Sequence, residues 1–204
     1  QNQIAACKKT FDKNSVVAIC DWPDRCANIA SKTKNHFIVL ESVECPDLLQ
    51  VAENIENSSG LRRVEYVVSF AQQCFTGMSF LTGLIDRMKK GIAYNPLSPD
   101  KVHLWNSMQV VVSADLWAIE NMMSAIEGLS GEHFYKRKEP WRDMRRTLRS
   151  HDCGSEKCLR ESAWELRDHA RRSGRRLLSM RILATPLRIK GLEFDHALLL
   201  DAEQ

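Results

Sequence analysis

Residues 15–20 read SVVAIC, residues 21–33 read DWPDRCANIASKT and residues 36–40 read HFIVL. The first run is apolar and rich in β-branched residues, the composition of a buried strand. Asp21-Trp22-Pro23-Asp24 is turn chemistry, with Asp24 placed to cap a helix. From Arg25 to Lys34 the apolar residues Cys26, Ile29 and Ala30 recur at helical spacing. HFIVL is a second short strand. A parallel strand pair needs a long crossover, and a helix is the usual one, so this stretch predicts a parallel sheet covered by helices. The fold class is read from it as α/β.

Working outward, the texture changes at Glu44. From there to about Gly174 the pattern is helical almost throughout. Pro46 opens a helix with Leu48, Leu49, Val51, Ala52 and Ile55 on one face. Asn57-Ser58-Ser59-Gly60 breaks it. Arg62 to Gln73 and Met78 to Lys90 follow as amphipathic segments. Ser98 caps a helix starting near Pro99 and running over Val102 to Met108. Another spans Ala114 to Leu129. Val110-Val111-Val112 suits a strand or a helix, and helix is preferred. Pro140 starts a further helix. Ser155 to Arg172 is the last long one, with Leu159, Ala163, Leu166 and Ala170 as its apolar stripe. Strand patterns return at Arg181 to Thr185 and at His196 to Leu200, and Gln3 to Lys9 has helical spacing. The end segments are too small to stand alone. The layout predicts one α/β unit, residues 1–43 with 177–204, interrupted by a large all-helical insertion over 44–176.

Composition narrows the class. Hydrophobic content is 44% and charged content 27%, ordinary for a globular chain. No apolar run approaches the roughly 18 residues of a membrane span. The first ten residues lack the layout of a signal peptide. A cytoplasmic protein without membrane association is expected. The seven cysteines form no CxxC pair and read as free thiols, several buried as small apolar groups. His151, Cys153 and Cys158 offer three local zinc ligands where four are usual, so no metal is assigned.

Charge is uneven. Residues 136–176 carry fourteen Lys or Arg against seven acids, a local excess of +7 in a chain of net +3. That suggests a polyanion partner, with Arg171, Arg172, Arg175 and Arg176 as the densest group. A solvated helix face laced with ion pairs fits the same pattern. Tyr135, Trp141 and Trp164 among the arginines suit base stacking or, more often, interhelical packing.

Between the last two strand patterns lies Thr185-Pro-Leu-Arg-Ile-Lys190-Gly-Leu-Glu-Phe194-Asp195. This stretch resembles the fifth motif of superfamily I DNA helicases of the UvrD/Rep type, written T-x-H-x-(S/A)-K-G-L-E-F. Thr185, Lys190, Gly191, Leu192, Glu193 and Phe194 match in register. The resemblance implies a partial RecA-like second motor domain, with the helical insertion in the family's usual gap. It implies that Glu193 and Gly191 face the nucleotide and that Thr185, Arg188 and Lys190 lie along DNA. It further implies ATP and Mg2+ as cofactors of the full-length protein, with none bound by this piece. Single-stranded and duplex DNA, and a first motor domain in the same chain, are the implied partners. The early strand–turn–helix resembles the stretch where such enzymes carry a phosphate-contacting arginine. Arg25 is the catalytic candidate, although a plain surface role suits it equally.

The match has departures. Leu187 stands at the family's histidine and Ile189 at its small residue, while Asp21 and Trp22 replace a polar, often basic, pair. No GxxxxGK[ST] occurs, so no phosphate-cradling loop is encoded. The piece is expected to be inactive alone. Two other readings stay open: a helicase-derived module that binds nucleic acid or protein without ATPase activity, and an interaction protein in which KGLEFD is coincidental.

Overall fold

The computed structural model describes residues 15–33, 36–40, 45–95, 98–129, 133–151, 157–172 and 181–200. The early helical pattern at 3–9 and the arginines at 175 and 176 lie outside them. Four strands form one sheet: β1 (Val16–Ile19), β2 (Ile38–Val39), β3 (Arg181–Ala184) and β4 (His196–Leu199). Their order is β2-β3-β1-β4 and every pairing is parallel, as the opening stretch predicts. Val16 sits beside Arg181 on one side and His196 on the other, so residues about 180 apart in sequence share a register.

Between β1 and β2 runs α1 (Pro23–Lys32). It opens on Pro23 rather than being capped by Asp24. Proline's fixed φ suits the first helical position and its missing N–H costs nothing there. Asp24 falls inside the first turn, where a carboxylate complements the helix dipole. β2 is shorter than expected, because His36 and Phe37 lie in a bend before it. It is an edge strand, as β4 is at the other side, and beyond it the Val39 N–H reaches the Lys136 carbonyl at 3.3 Å rather than another strand.

The two faces of the sheet have separate cores. Val16, Ala18, Val39 and Leu183 pack with Cys20, Cys26, Ala30 and Phe37, so α1 covers this face. Val17, Leu40, Ile182 and Ala184 face the other way, against Ile189, Leu192 and Phe194 of the β3–β4 connection. Alternation along β1 thus buries Val16 and Ala18 on one side and Val17 on the other.

Between β2 and β3 come α2 (Pro46–Glu56), α3 (Gly60–Cys74), α4 (Phe80–Lys89), α5 (Pro99–Ser113), α6 (Trp117–Glu127), α7 (Lys138–Ser150) and α8 (Leu159–Arg172). They share a third, much larger apolar cluster. Val110 to Val112 is helical, and only Val111 of the three is buried. Trp141, fully buried, stacks on Phe70 at 5.7 Å and meets Phe75 edge-on at 4.9 Å. It is therefore packing, not an exposed base platform, whereas Trp164 is exposed. Glu56 of α2 accepts the Leu159 N–H with both carboxylate oxygens at 3.0 Å, capping α8 from a neighbouring helix. A short α9 (Pro186–Ile189) follows β3. Among the described residues no helix is long and apolar enough to cross a membrane.

Candidate functional site

In a parallel sheet all strands end on one side. Cys20, Leu40 and Thr185 therefore emerge together at the carboxyl edge, after β1, β2 and β3. The connection leaving β1 passes over one face of the sheet and the connection leaving β3 over the other. The ends of the adjacent β1 and β3 flank a topological switch point, the crevice where open α/β sheets hold ligands. The sequence-derived candidates Arg25, Thr185, Arg188 and Lys190 all belong to the two segments that leave this edge.

Their side chains are differently engaged. Arg25 pairs with Asp21 one helical turn earlier, at 3.3 Å and 3.4 Å to its two oxygens. Arg188 donates to the Leu40 carbonyl at 2.8 Å, tying α9 to the end of β2. Thr185 is half-buried and precedes α9, accepting the Arg188 N–H through its carbonyl at 3.0 Å. Lys190 is exposed, and Leu187 is 83% exposed. Of the three cations, two are committed to groups of the protein itself, and Lys190 is the one left open to a ligand.

The rest of the motif crosses the sheet. Gly191 adopts φ +80°, the left-handed region that disfavours a side chain, while a Cβ there would meet no atom within 4 Å. Its requirement is conformational. Leu192 and Phe194 turn onto the sheet, and Glu193 between them faces solvent. Asp195 then anchors the amino end of the sheet, accepting the Ser15 N–H and hydroxyl at 2.7 Å each. Those bonds hold its carboxyl below the ordinary aspartate range. Glu193 therefore sits on the covering loop, nearer the Asp195 anchor in sequence than the Thr185 exit. Sequence reading missed the Ser15–Asp195 clamp, the Arg188–Leu40 tie and the packing of Cys20 against Cys26, none of which has a local signal beyond residue type.

Among the described residues, most bases of this segment are paired inside the molecule. Arg137 pairs with Asp47 at 2.9 Å, Arg160 with Glu53 at 2.8 Å and Lys157 with Glu165 at 2.8 Å. Arg145 and Arg149 share Glu120 at 2.6 Å each, and Arg145 also bonds Glu127. Arg167, 9% exposed, binds Asp143 at 2.6 Å. Tyr135 donates to Glu127. Burial opposes ionisation of Glu127, but the Tyr135 and Arg145 contacts outweigh it and lower its pKa. Acids of α2 and α6 thus answer the bases of α7 and α8. Arg142 is exposed, and Lys138 sits over the Tyr135 ring at 5.4 Å. Burial and the neighbouring Arg142 lower the pKa of Lys138. Arg171 and Arg172 end α8, with side chains outside the described set.

His151 Nδ1 lies 3.2 Å from the Ser162 hydroxyl, and Cys153 is outside the described residues. Among the described residues no cluster of three or more His, Cys, Asp or Glu is placed to hold a metal. Comparison of the chain with protein-family models, with curated proteins and with solved structures returns no match.

Proposed function

We propose that this chain is part of an ATP-dependent DNA helicase of the UvrD/Rep type. On this reading residues 1–43 and 177–204 are a partial RecA-like second motor domain and residues 44–176 its helical insertion. The observation that carries the reading is the course of the segment 185–195 that ends in KGLEFD. It leaves β3 beside β1, at the carboxyl edge and switch point of a parallel sheet, and crosses the sheet to Asp195 at the amino edge. Thr185 and Lys190 bracket the exit and face single-stranded DNA; Glu193 and Gly191 face the nucleotide.

The residues present do not by themselves fit a nucleoside triphosphate. Arg25 and Arg188 are spent on Asp21 and the Leu40 carbonyl, and no GxxxxGK[ST] occurs. On this reading ATP and Mg2+ are held with a first motor domain carried by the same polypeptide, and the 204-residue chain alone hydrolyses no ATP. The test is DNA-stimulated ATP hydrolysis by the complete gene product, with and without Glu193→Ala. The substitution should lower the rate roughly tenfold or more, the scale of one lost charged hydrogen bond. Full activity in Glu193→Ala, or turnover by the isolated chain, contradicts the assignment.

A second reading has its own support. Leu187 presents an exposed apolar side chain where the resembled family has histidine, and Arg188 points into the protein. Two polar groups expected to couple nucleotide to DNA are therefore missing from the loop. A helicase-derived module that binds nucleic acid without hydrolysis accommodates both. It predicts salt-sensitive oligonucleotide binding by a gene product that lacks ATPase activity.

A further inference from the structure

Between β1 and α1 the chain carries a carboxylate at the edge where an open parallel sheet holds its ligand. Asp21 follows the end of β1 by two residues and precedes Trp22, the residue that opens α1, and Pro23, its first helical position. An anion at such a turn is held by backbone N–H groups at the helix start and by a nearby cation. Both kinds of donor are already engaged here, and by one side chain. Asp21 Oδ1 accepts the Trp22 N–H at 3.0 Å. Arg25 Nη1 donates to Oδ1 at 3.3 Å and to Oδ2 at 3.4 Å. Pro23 has no N–H to offer. The second arginine of the edge, Arg188, donates to the Leu40 carbonyl at 2.8 Å. The Asp21 and Arg25 side chains are 53% and 34% exposed, so a solute reaches the pair without any element moving.

We propose that Asp21 is a specificity-determining residue of the carboxyl edge, an internal anion that stands in the place of an incoming phosphate group and holds Arg25 away from it. The proposal rests on the reading above only for the kind of anion that reaches this edge. A phosphate arriving at Arg25 has to displace a carboxylate from the guanidinium and then lie beside the negative charge it displaced. The first effect is modest, because the pair is exposed; the second is repulsion between like charges a few ångströms apart. Both oppose binding. An arginine at the phosphate-contacting position therefore does not by itself make this edge a phosphate site, and the residue that decides it stands one helical turn earlier.

Asparagine separates the charge of Asp21 from its structural role. Asp21→Asn keeps a side-chain oxygen for the Trp22 N–H, so the turn holds its shape, while the Arg25 guanidinium loses its carboxylate. Asp24 supplies the control for net charge alone. It is exposed, lies in the first turn of the same helix and carries the same charge, but it is not the carboxylate that Arg25 grips. A general gain from removing any acid near the helix start would appear equally in Asp24→Asn; a gain that passes through Arg25 would not.

The experiment is to titrate the 204-residue chain with inorganic tripolyphosphate by isothermal titration calorimetry at low salt. Wild type, Asp21→Asn, Asp24→Asn, Arg25→Ala and Asp21→Asn/Arg25→Ala are compared, each checked for folding by circular dichroism. Asp21→Asn is expected to bind about fivefold more tightly than wild type, the upper end of what one exposed ion pair is worth. The gain is expected to exceed that of Asp24→Asn and to shrink when Arg25 is alanine. Equal affinity in wild type and Asp21→Asn, weaker or undetectable binding by Asp21→Asn, an equal gain in Asp24→Asn, or the full gain persisting in the Arg25→Ala background overturns the proposal. Neither hydrolysis nor DNA enters this measurement, so its failure leaves the helicase assignment standing, and failure of that assignment in the ATPase test leaves this result standing.

Discussion

Asp195 and Ser15 stand 180 residues apart, yet three hydrogen bonds join them: two to the carboxylate, and one from the Asp195 N–H to the Ser15 hydroxyl at 3.0 Å. The aspartate of KGLEFD is therefore a structural clamp at the amino edge of the sheet. Because its folded pKa is depressed by Ser15, its contribution to stability is present above the ordinary aspartate value of about 3.9. It is lost as pH falls through the lower, folded value. Thermal unfolding of wild type and Asp195→Asn should differ by a constant amount above about pH 5 and converge as the pH drops below about 4. Curves that stay parallel through that range contradict the clamp. Gly191→Ala tests the neighbouring turn. At φ +80° the added Cβ costs about 1–2 kcal/mol of unfolding free energy, read by urea denaturation; no loss means the loop has another conformation. The motif was legible at this scale as residue types in register. The partners of Arg188 and Asp195 were not, because they lie 148 and 180 residues away and no local pattern names them.

Elements were more legible than their ends. The helix at 46–56, a break after it and the continuation of α5 through Val112 follow from proline, turn residues and apolar spacing, although the next helix already opens on Gly60, inside the expected break of 57–60. β2 shrank because its first two expected residues, His36 and Phe37, lie in a bend, and α1 began two residues early because proline favours the first helical position. The basic character of α7 was visible. Its meaning was not, because the answering carboxylates Glu120 and Glu127 sit on α6. Two substitutions test the packing of these helices. Trp141→Ala removes a fully buried ring stacked on Phe70 and edge-on to Phe75 and should cost about 3–5 kcal/mol. Arg167→Ala leaves Asp143, which is 13% exposed, with only the exposed Arg146 at 3.8 Å, and should cost about 3 kcal/mol, the lower end for breaking a buried pair. Chemical denaturation measures both; a change below 1 kcal/mol in either would remove that contact from the account.

Across the whole molecule three apolar clusters divide the labour. Two clothe the faces of a four-stranded sheet, and one organises the helices of the long middle segment. The α/β class could be read from residues 15–40, because strand, helix and strand in that span admit few alternatives. The sheet order could not, since β3 and β4 join β1 from the far end of the chain. Charge works at this scale too: Arg137, Arg145, Arg149, Lys157, Arg160 and Arg167 are matched by acids on α2, α6, α7 and α8, while Lys138 and Arg142 are not. That leaves the carboxyl edge, and Lys190 in particular, as the place where the proposed DNA contact is tested most directly. The measurement is the affinity of the chain for a labelled single-stranded oligonucleotide across a salt series, by fluorescence anisotropy, for wild type and Lys190→Ala. The account predicts weaker binding by the variant and a plot of log affinity against log salt flatter by roughly 0.7, one phosphate contact on a single strand. Absence of binding, or identical slopes for the two proteins, contradicts it.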